Sequence, residues 1–93
     1  MNAPSQKTKI LLEEALNGIQ QAQSAWSDSP LDFTTEEELA TFAQALSLML
    51  VALDKGEKRD IPGLWRIVTD MWPYTNKLRQ KIVEAELAFE KLK

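Results

Sequence analysis

An apolar stripe at helical spacing in the middle of the chain is the feature that most constrains the fold. Large apolar side chains recur every three or four positions across residues 39–53, at Leu39, Phe42, Leu46, Met49, Leu50 and Leu53. This spacing places them on one face of an α-helix, and Leu48, Val51 and Ala52 widen that face. A face of that width predicts that this helix, which we expect to run to about Lys55, is the central helix of a bundle.

Residues at both ends of this helix are suited to terminate it. Thr34 or Thr35 can accept a backbone N–H as the N-cap, and Glu37 or Glu38, three positions later, can complete a capping box. Acidic side chains are also favourable at the positive end of the helix dipole. Gly56 is suited to the left-handed conformation that commonly follows the last turn of a helix. Helix capping and solvated charge therefore account for the acidic cluster without a bound cation.

Helical spacing also occurs earlier in the chain. The segment from Ser5 to Trp26 predicts the first helix, because it carries apolar residues at helical spacing beside a stripe of small residues: Leu12, Leu16, Ile19 and Trp26. Gly18 lies in the small stripe, where it either lets a neighbouring backbone approach closely or is tolerated on an exposed face. A glycine in a helix interior costs about 1 kcal/mol relative to alanine, which the first interpretation would explain.

A third helix is predicted after Gly56. Asp60 is its expected N-cap and Pro62 lies in its first turn, where a missing N–H costs nothing. Its inward face is expected to carry four apolar residues, Ile61, Leu64, Val68 and Met71.

Pro73 separates the third helix from a fourth. It cannot donate a hydrogen bond to the carbonyl of Thr69, so the chain either kinks there or ends one helix and begins another. The fourth helix is expected from Tyr74 to about Leu92, with apolar residues at heptad spacing, namely Leu78, Ile82, Ala85, Phe89 and Leu92.

These segments predict an all-α fold. No stretch alternates apolar and polar residues convincingly, and the connections are short. We expect a small antiparallel bundle of three or four helices, with the last two either separate or forming one rod kinked at Pro73. The chain of 93 residues is expected to be a single domain. Residues 1–5 are expected to form a disordered arm.

The composition narrows the possible chemistry, because the chain contains neither cysteine nor histidine. Disulfides and thiol catalysis are excluded, and the commonest general base and metal ligand is missing. We expect a non-catalytic protein with no cofactor and no metal. The start, MNAPSQKTK, lacks the apolar region of a secretory signal, and the run ALSLMLVAL is far short of the ~20 residues of a membrane span. We expect a cytoplasmic protein that does not enter the membrane.

Residues 60–75, DIPGLWRIVTDMWPYT, are the most plausible binding segment. They hold two of the three tryptophans and the single tyrosine. Tryptophan, tyrosine, arginine and methionine are enriched in the cores of interfaces. With Met71 and its apolar neighbours facing inward, Trp65 and Trp72 lie about 100° away, at the edge of the core. We therefore predict a small protein–protein interaction module of the adaptor, inhibitor or toxin-neutralising type, whose partner-binding residues are Trp65, Arg66, Trp72, Tyr74 and Lys77.

Two other functions stay open. Residues 55–93 hold nine basic residues against six acids, with aromatic residues between them, which is a pattern that can hold phosphates and stack bases. The sequence pI near 4.9 disfavours nucleic acid, because dedicated binding domains usually have a pI above ~9. The heptad seam of the fourth helix favours a self-associating structural subunit and predicts a homodimer.

Overall fold

The computed structural model describes residues 3–56 and 64–91, with the side chains of residues 6–56 and 66–91. These residues form four α-helices and no strand: α1 (Ala3–Ser24), α2 (Glu36–Lys55), α3 (Leu64–Met71) and α4 (Lys77–Lys91). The all-α prediction is therefore confirmed, and the helices pack as a small bundle. α1 begins at Ala3, so residues 3–5 belong to a helix and not to the expected arm.

The central helix of the bundle is α1, which packs against both α2 and α4, while α3 packs against α4. The prediction that the apolar second helix is central was wrong. The small residues of α1 explain the difference, because they let two neighbours approach one helix. Ala15, for example, is completely buried. α2 therefore keeps one face towards solvent, where Leu48 and Val51 are exposed.

Contacts at both ends of α1 fix the directions of its neighbours. Lys9, near the start of α1, lies 3.8 Å from the carboxylate of Asp54, near the end of α2. Gly18, in the second half of α1, contacts Leu78 at the start of α4. Both neighbours therefore run antiparallel to α1, and α2 and α4 run in the same direction. The segment that contains α3 carries the chain back from the end of α2 to the start of α4.

The N-cap and C-cap residues of α2 agree with the prediction. Thr35 is the N-cap, and its hydroxyl accepts a hydrogen bond from the backbone N–H of Glu38 at 3.0 Å. Gly56 is the C-cap and adopts φ 71°, a left-handed conformation that favours glycine.

Gly18 lies at a close contact between α1 and the Leu78 side chain of α4. A Cβ atom built on Gly18 would lie 2.5 Å from Cδ1 of Leu78. This distance is far shorter than an ordinary van der Waals contact between carbon atoms, which is about 3.5 to 4.0 Å. Gly18 therefore lies at a close contact and not on a free surface, but the group that approaches it is the Leu78 side chain and not the backbone that was expected.

The heptad seam of α4 lies inside the chain's own core. Ile82 and Ala85 are completely buried and Phe89 is 6% exposed. They belong to one apolar cluster with residues of α1, α2 and α3. The seam members that the structure describes are therefore packed against the chain's own core, and they do not form the free contact surface from which a homodimer was predicted. Leu92 lies outside the described residues.

The segment around Pro73 separates two helices. α3 ends at Met71, and the N–H of Trp72 still donates to the carbonyl of Val68 at 2.9 Å. α4 begins three residues later than predicted because Asn76 caps it, with its side-chain Oδ1 accepting the N–H of Arg79 at 2.9 Å. Of the predicted start of the third helix, Asp60, Ile61 and Pro62 lie outside the described residues.

Candidate protein-binding surface

Trp72 is a core residue. Its side chain is only 3% exposed. The ring of Phe33, in the loop between α1 and α2, meets the indole edge-on, with centroids 4.9 Å apart and an interplanar angle of 62°. Phe42 of α2 lies on a second side, with its centroid 5.9 Å away. These three rings pack the end of α3 against the beginning of α2.

A polar contact completes the surroundings of Trp72. Its indole Nε1 donates a hydrogen bond to Oε1 of Glu38 at 3.3 Å. The hydroxyl of Thr34 donates to the same carboxylate oxygen at 2.6 Å. A buried indole N–H requires such an acceptor, because the group has lost its contact with water. Glu38 thus joins two elements of the bundle, a role that helix capping alone does not predict.

The inward face predicted for the third helix was partly wrong. Val68 is completely buried, as expected, but Met71 is 66% exposed. Trp72, expected at the edge of the core, is buried in place of Met71. Trp72 follows Val68 by four positions, so the two side chains lie on the same face of the helix. An indole also buries more apolar surface than a methionine side chain, which favours burial of Trp72 over Met71. Leu64 and Trp65 have side chains outside the described set.

Three large apolar side chains remain exposed at the end of α3 and in the turn after it. The exposed fractions are 40% for Ile67, 66% for Met71 and 79% for Tyr74. Ile67 and Met71 lie four positions apart and are therefore neighbours on one side of the helix. We call Ile67, Met71 and Tyr74 the α3 surface.

Arg79 holds this surface in place. Its Nε donates a hydrogen bond to the carbonyl of Val68 at 3.2 Å, which ties α4 to the last turn of α3. Its guanidinium carbon lies 4.8 Å from the centroid of the Tyr74 ring, within the distance of a cation–π contact. One face of Tyr74 is therefore covered by Arg79.

The segment that carries the α3 surface is mainly basic in sequence. Residues 64–81 hold four basic residues against one acid, whereas residues 3–56 hold three against eight. Lys77 and Lys81 are exposed on the first turns of α4. Arg66 and Asp70 are exposed on α3. These basic residues share their end of the bundle with the acidic first turn of α2, Glu36, Glu37 and Glu38, because Trp72 at the end of α3 is hydrogen-bonded to Glu38.

The structure divides the predicted binding residues into two groups. Arg66, Tyr74 and Lys77 are exposed, whereas Trp72 is part of the core. Ile67 and Met71 were missing from the predicted set. Their exposure had no signal in the sequence, since apolar residues at helical spacing fit a core equally well.

Comparison with known proteins identifies no relative of this chain. No family model matches it, and no curated protein or solved structure is significantly similar to it. Within the described residues, no helix is long and apolar enough to cross a membrane. In the same part of the chain, no three acidic side chains come together as a group that could hold a metal ion.

Proposed function

We propose that this protein is a small, non-catalytic interaction module that binds an acidic partner protein through the α3 surface. The observation that carries the proposal is the exposure of Ile67, Met71 and Tyr74 within eight residues of the chain, beside the lysines at the start of α4. Contiguous exposed apolar side chains with a polar rim are typical of protein-binding surfaces. The absence of histidine and cysteine from the sequence is in keeping with a role that needs no catalytic group.

The exposed lysines at the start of α4 favour an acidic partner. A partner with carboxylates around an apolar centre would complement Lys77 and Lys81 at the rim. Charged rims act mainly on the rate of encounter, while apolar and aromatic residues at the centre contribute most of the affinity.

Nucleic acid is a less suitable ligand for the same surface. Base stacking needs an accessible aromatic face, and Arg79 already covers one face of Tyr74. Ile67 and Met71 have no ring on which a base could stack. The acids of residues 3–56, three of which form the first turn of α2 beside the end of α3, would also repel a phosphate backbone.

A comparative capture experiment tests the proposal. Tagged wild-type protein and the variants Met71→Ala and Tyr74→Ala are incubated with an extract of the native cell, and retained proteins are quantified by mass spectrometry. Ile10→Ala is the matched control, because Ile10 is 50% exposed but lies on α1. The proposal predicts an acidic protein that the wild type and the control retain and that both test variants lose.

The purified partner then gives the quantitative test. Met71→Ala or Tyr74→Ala should weaken the complex by about 2 kcal/mol, as truncation of a central anchor does. Circular dichroism must show that both variants keep their helix content. If no retained protein distinguishes the test variants from Ile10→Ala, the proposal is wrong. If nuclease treatment abolishes the capture, nucleic acid is the ligand instead.

A further inference from the structure

The outward face of α2 carries a second series of residues at heptad spacing. Its six members follow one another at steps of four, three, four, three and four positions, and all are exposed: Glu37, Thr41, Gln44, Leu48, Val51 and Lys55. We call them the α2 seam. The two apolar members are exposed to 47% for Leu48 and 45% for Val51. The seam lies on a different element from the α3 surface and is independent of the function proposed above.

The composition of α2 is unusual for a helix with a solvent-facing side. Residues 39–53 contain no charged side chain, so the exposed face is uncharged over four turns. A second chain can cover this face without removing a charge from water. The polar members of the seam can also be covered at small cost. The hydroxyl of Thr41 already donates to the carbonyl of Glu37 at 3.0 Å within the helix.

We propose that the α2 seam is the contact surface of a homodimer in which the two copies of α2 pack antiparallel. The charges at the ends of the seam select this arrangement. Glu37 lies at one end and Lys55 at the other. An antiparallel pair centred between Gln44 and Leu48 places Glu37 of each copy opposite Lys55 of the other, so that both ends are complementary. A parallel pair would place like charges together at both ends.

The same antiparallel register also pairs the residues in the middle of the α2 seam. Gln44 of each copy lies opposite Leu48 of the other, and Thr41 lies opposite Val51. The apolar side chains are therefore covered by the uncharged half of the second copy. This is a self-complementary contact, as a two-fold axis requires.

The size of the contact sets its strength. α2 has 20 residues, and a helix of that length spans about 30 Å. One helix face from each copy gives an interface below the ~1,200 Å² at which stable complexes begin. The dimer should therefore be weak, and its population should depend on protein concentration.

Sedimentation velocity over a series from micromolar to millimolar protein tests the dimer. The wild type should pass from the mass of one chain to that of two. Leu48→Glu, which introduces a charge at the centre of the seam, should raise the dissociation constant of the dimer at least about tenfold. Ile10→Glu, an equally exposed position on α1, should leave it unchanged. A wild type that stays at the mass of one chain overturns the proposal, as does an equal loss in both variants.

Disulfide cross-linking tests the direction, since the chain contains no cysteine of its own. Glu37→Cys and Lys55→Cys variants are mixed and oxidised. Antiparallel packing predicts mainly the mixed 37–55 disulfide, whereas dimers of 37 with 37 and 55 with 55 would overturn the arrangement.

Charge reversal supplies a check of the arrangement that needs no cross-link. Glu37→Lys alone should weaken the dimer, and addition of Lys55→Glu to it should restore the wild-type dissociation constant.

Discussion

The indole Nε1 of Trp72 donates a hydrogen bond to Oε1 of Glu38 across 3.3 Å, and this bond joins the end of α3 to the first turn of α2. Thr34 shares the acceptor, and Phe33 and Phe42 pack against the indole ring. The contact links residues 34 positions apart in the chain. It therefore fixes where the short helix α3 sits on the bundle, and with it the position of the α3 surface.

The Trp72–Glu38 bond should be measurable as a coupling energy. Trp72→Phe keeps a ring but removes the donor, and Glu38→Ala removes the acceptor. A double-mutant cycle in urea should give a coupling of about 1 kcal/mol, the usual net value of a hydrogen bond. Glu37→Ala, one position away on an exposed part of the same turn, is the control and should show no coupling to Trp72→Phe. A coupling near zero for Glu38 would contradict the role assigned to it.

Gly18 should be a position where alanine does not stabilise the helix. Gly→Ala in a helix interior normally contributes about 1 kcal/mol. Here the new Cβ would meet Leu78, so we expect Gly18→Ala to bring no rise in Tm. In a Leu78→Ala background the contact is gone, and Gly18→Ala should then stabilise by about 1 kcal/mol. Asn17→Ala, at an exposed neighbouring position, should change Tm equally in both backgrounds. Equal gains from Gly18→Ala in both backgrounds would argue against the close contact.

Asn76 should contribute to stability through its cap. Asn76→Ala removes the acceptor for the N–H of Arg79, and loss of such a cap costs about 1 kcal/mol. Asn76→Asp keeps the acceptor and should stay near the wild-type stability. Thr75→Ala, at the exposed position before the cap, is the control. Thermal unfolding followed by circular dichroism measures all three. The cap has no energetic role if Asn76→Ala and Thr75→Ala unfold at the same temperature.

Lys77 should act on the rate at which the acidic partner binds. Lys77→Glu reverses an exposed charge beside Tyr74, so the association rate constant should fall and should depend less on salt concentration. The dissociation rate constant should change little, because rim charges contribute little once the complex has formed. Surface plasmon resonance at two or more salt concentrations separates the two constants. A change confined to dissociation would place Lys77 at the centre of the interface.

The sequence by itself determined the helices and both ends of α2. Thr35 and Gly56 terminate α2 as predicted because a cap depends on the conformation and hydrogen bonding of a few neighbouring residues. Asn76 has the same kind of local cause, and its identity as a favoured N-cap residue was available in the sequence. Pro73 likewise restricts the chain through its own ring, so a break or kink at that position followed from the residue alone.

Only the tertiary structure decided which apolar residues are covered. The heptad series of α4 and the exposed series of α2 have the same spacing, yet the first is buried against α1 and the second faces solvent. Trp72 and Met71 are adjacent in sequence and differ completely in exposure because Phe33, Phe42 and Glu38 surround only one of them. Spacing defines a face of a helix, but the neighbour that covers the face comes from distant parts of the chain. The α3 surface and the α2 seam therefore became visible only once the helices had been packed together.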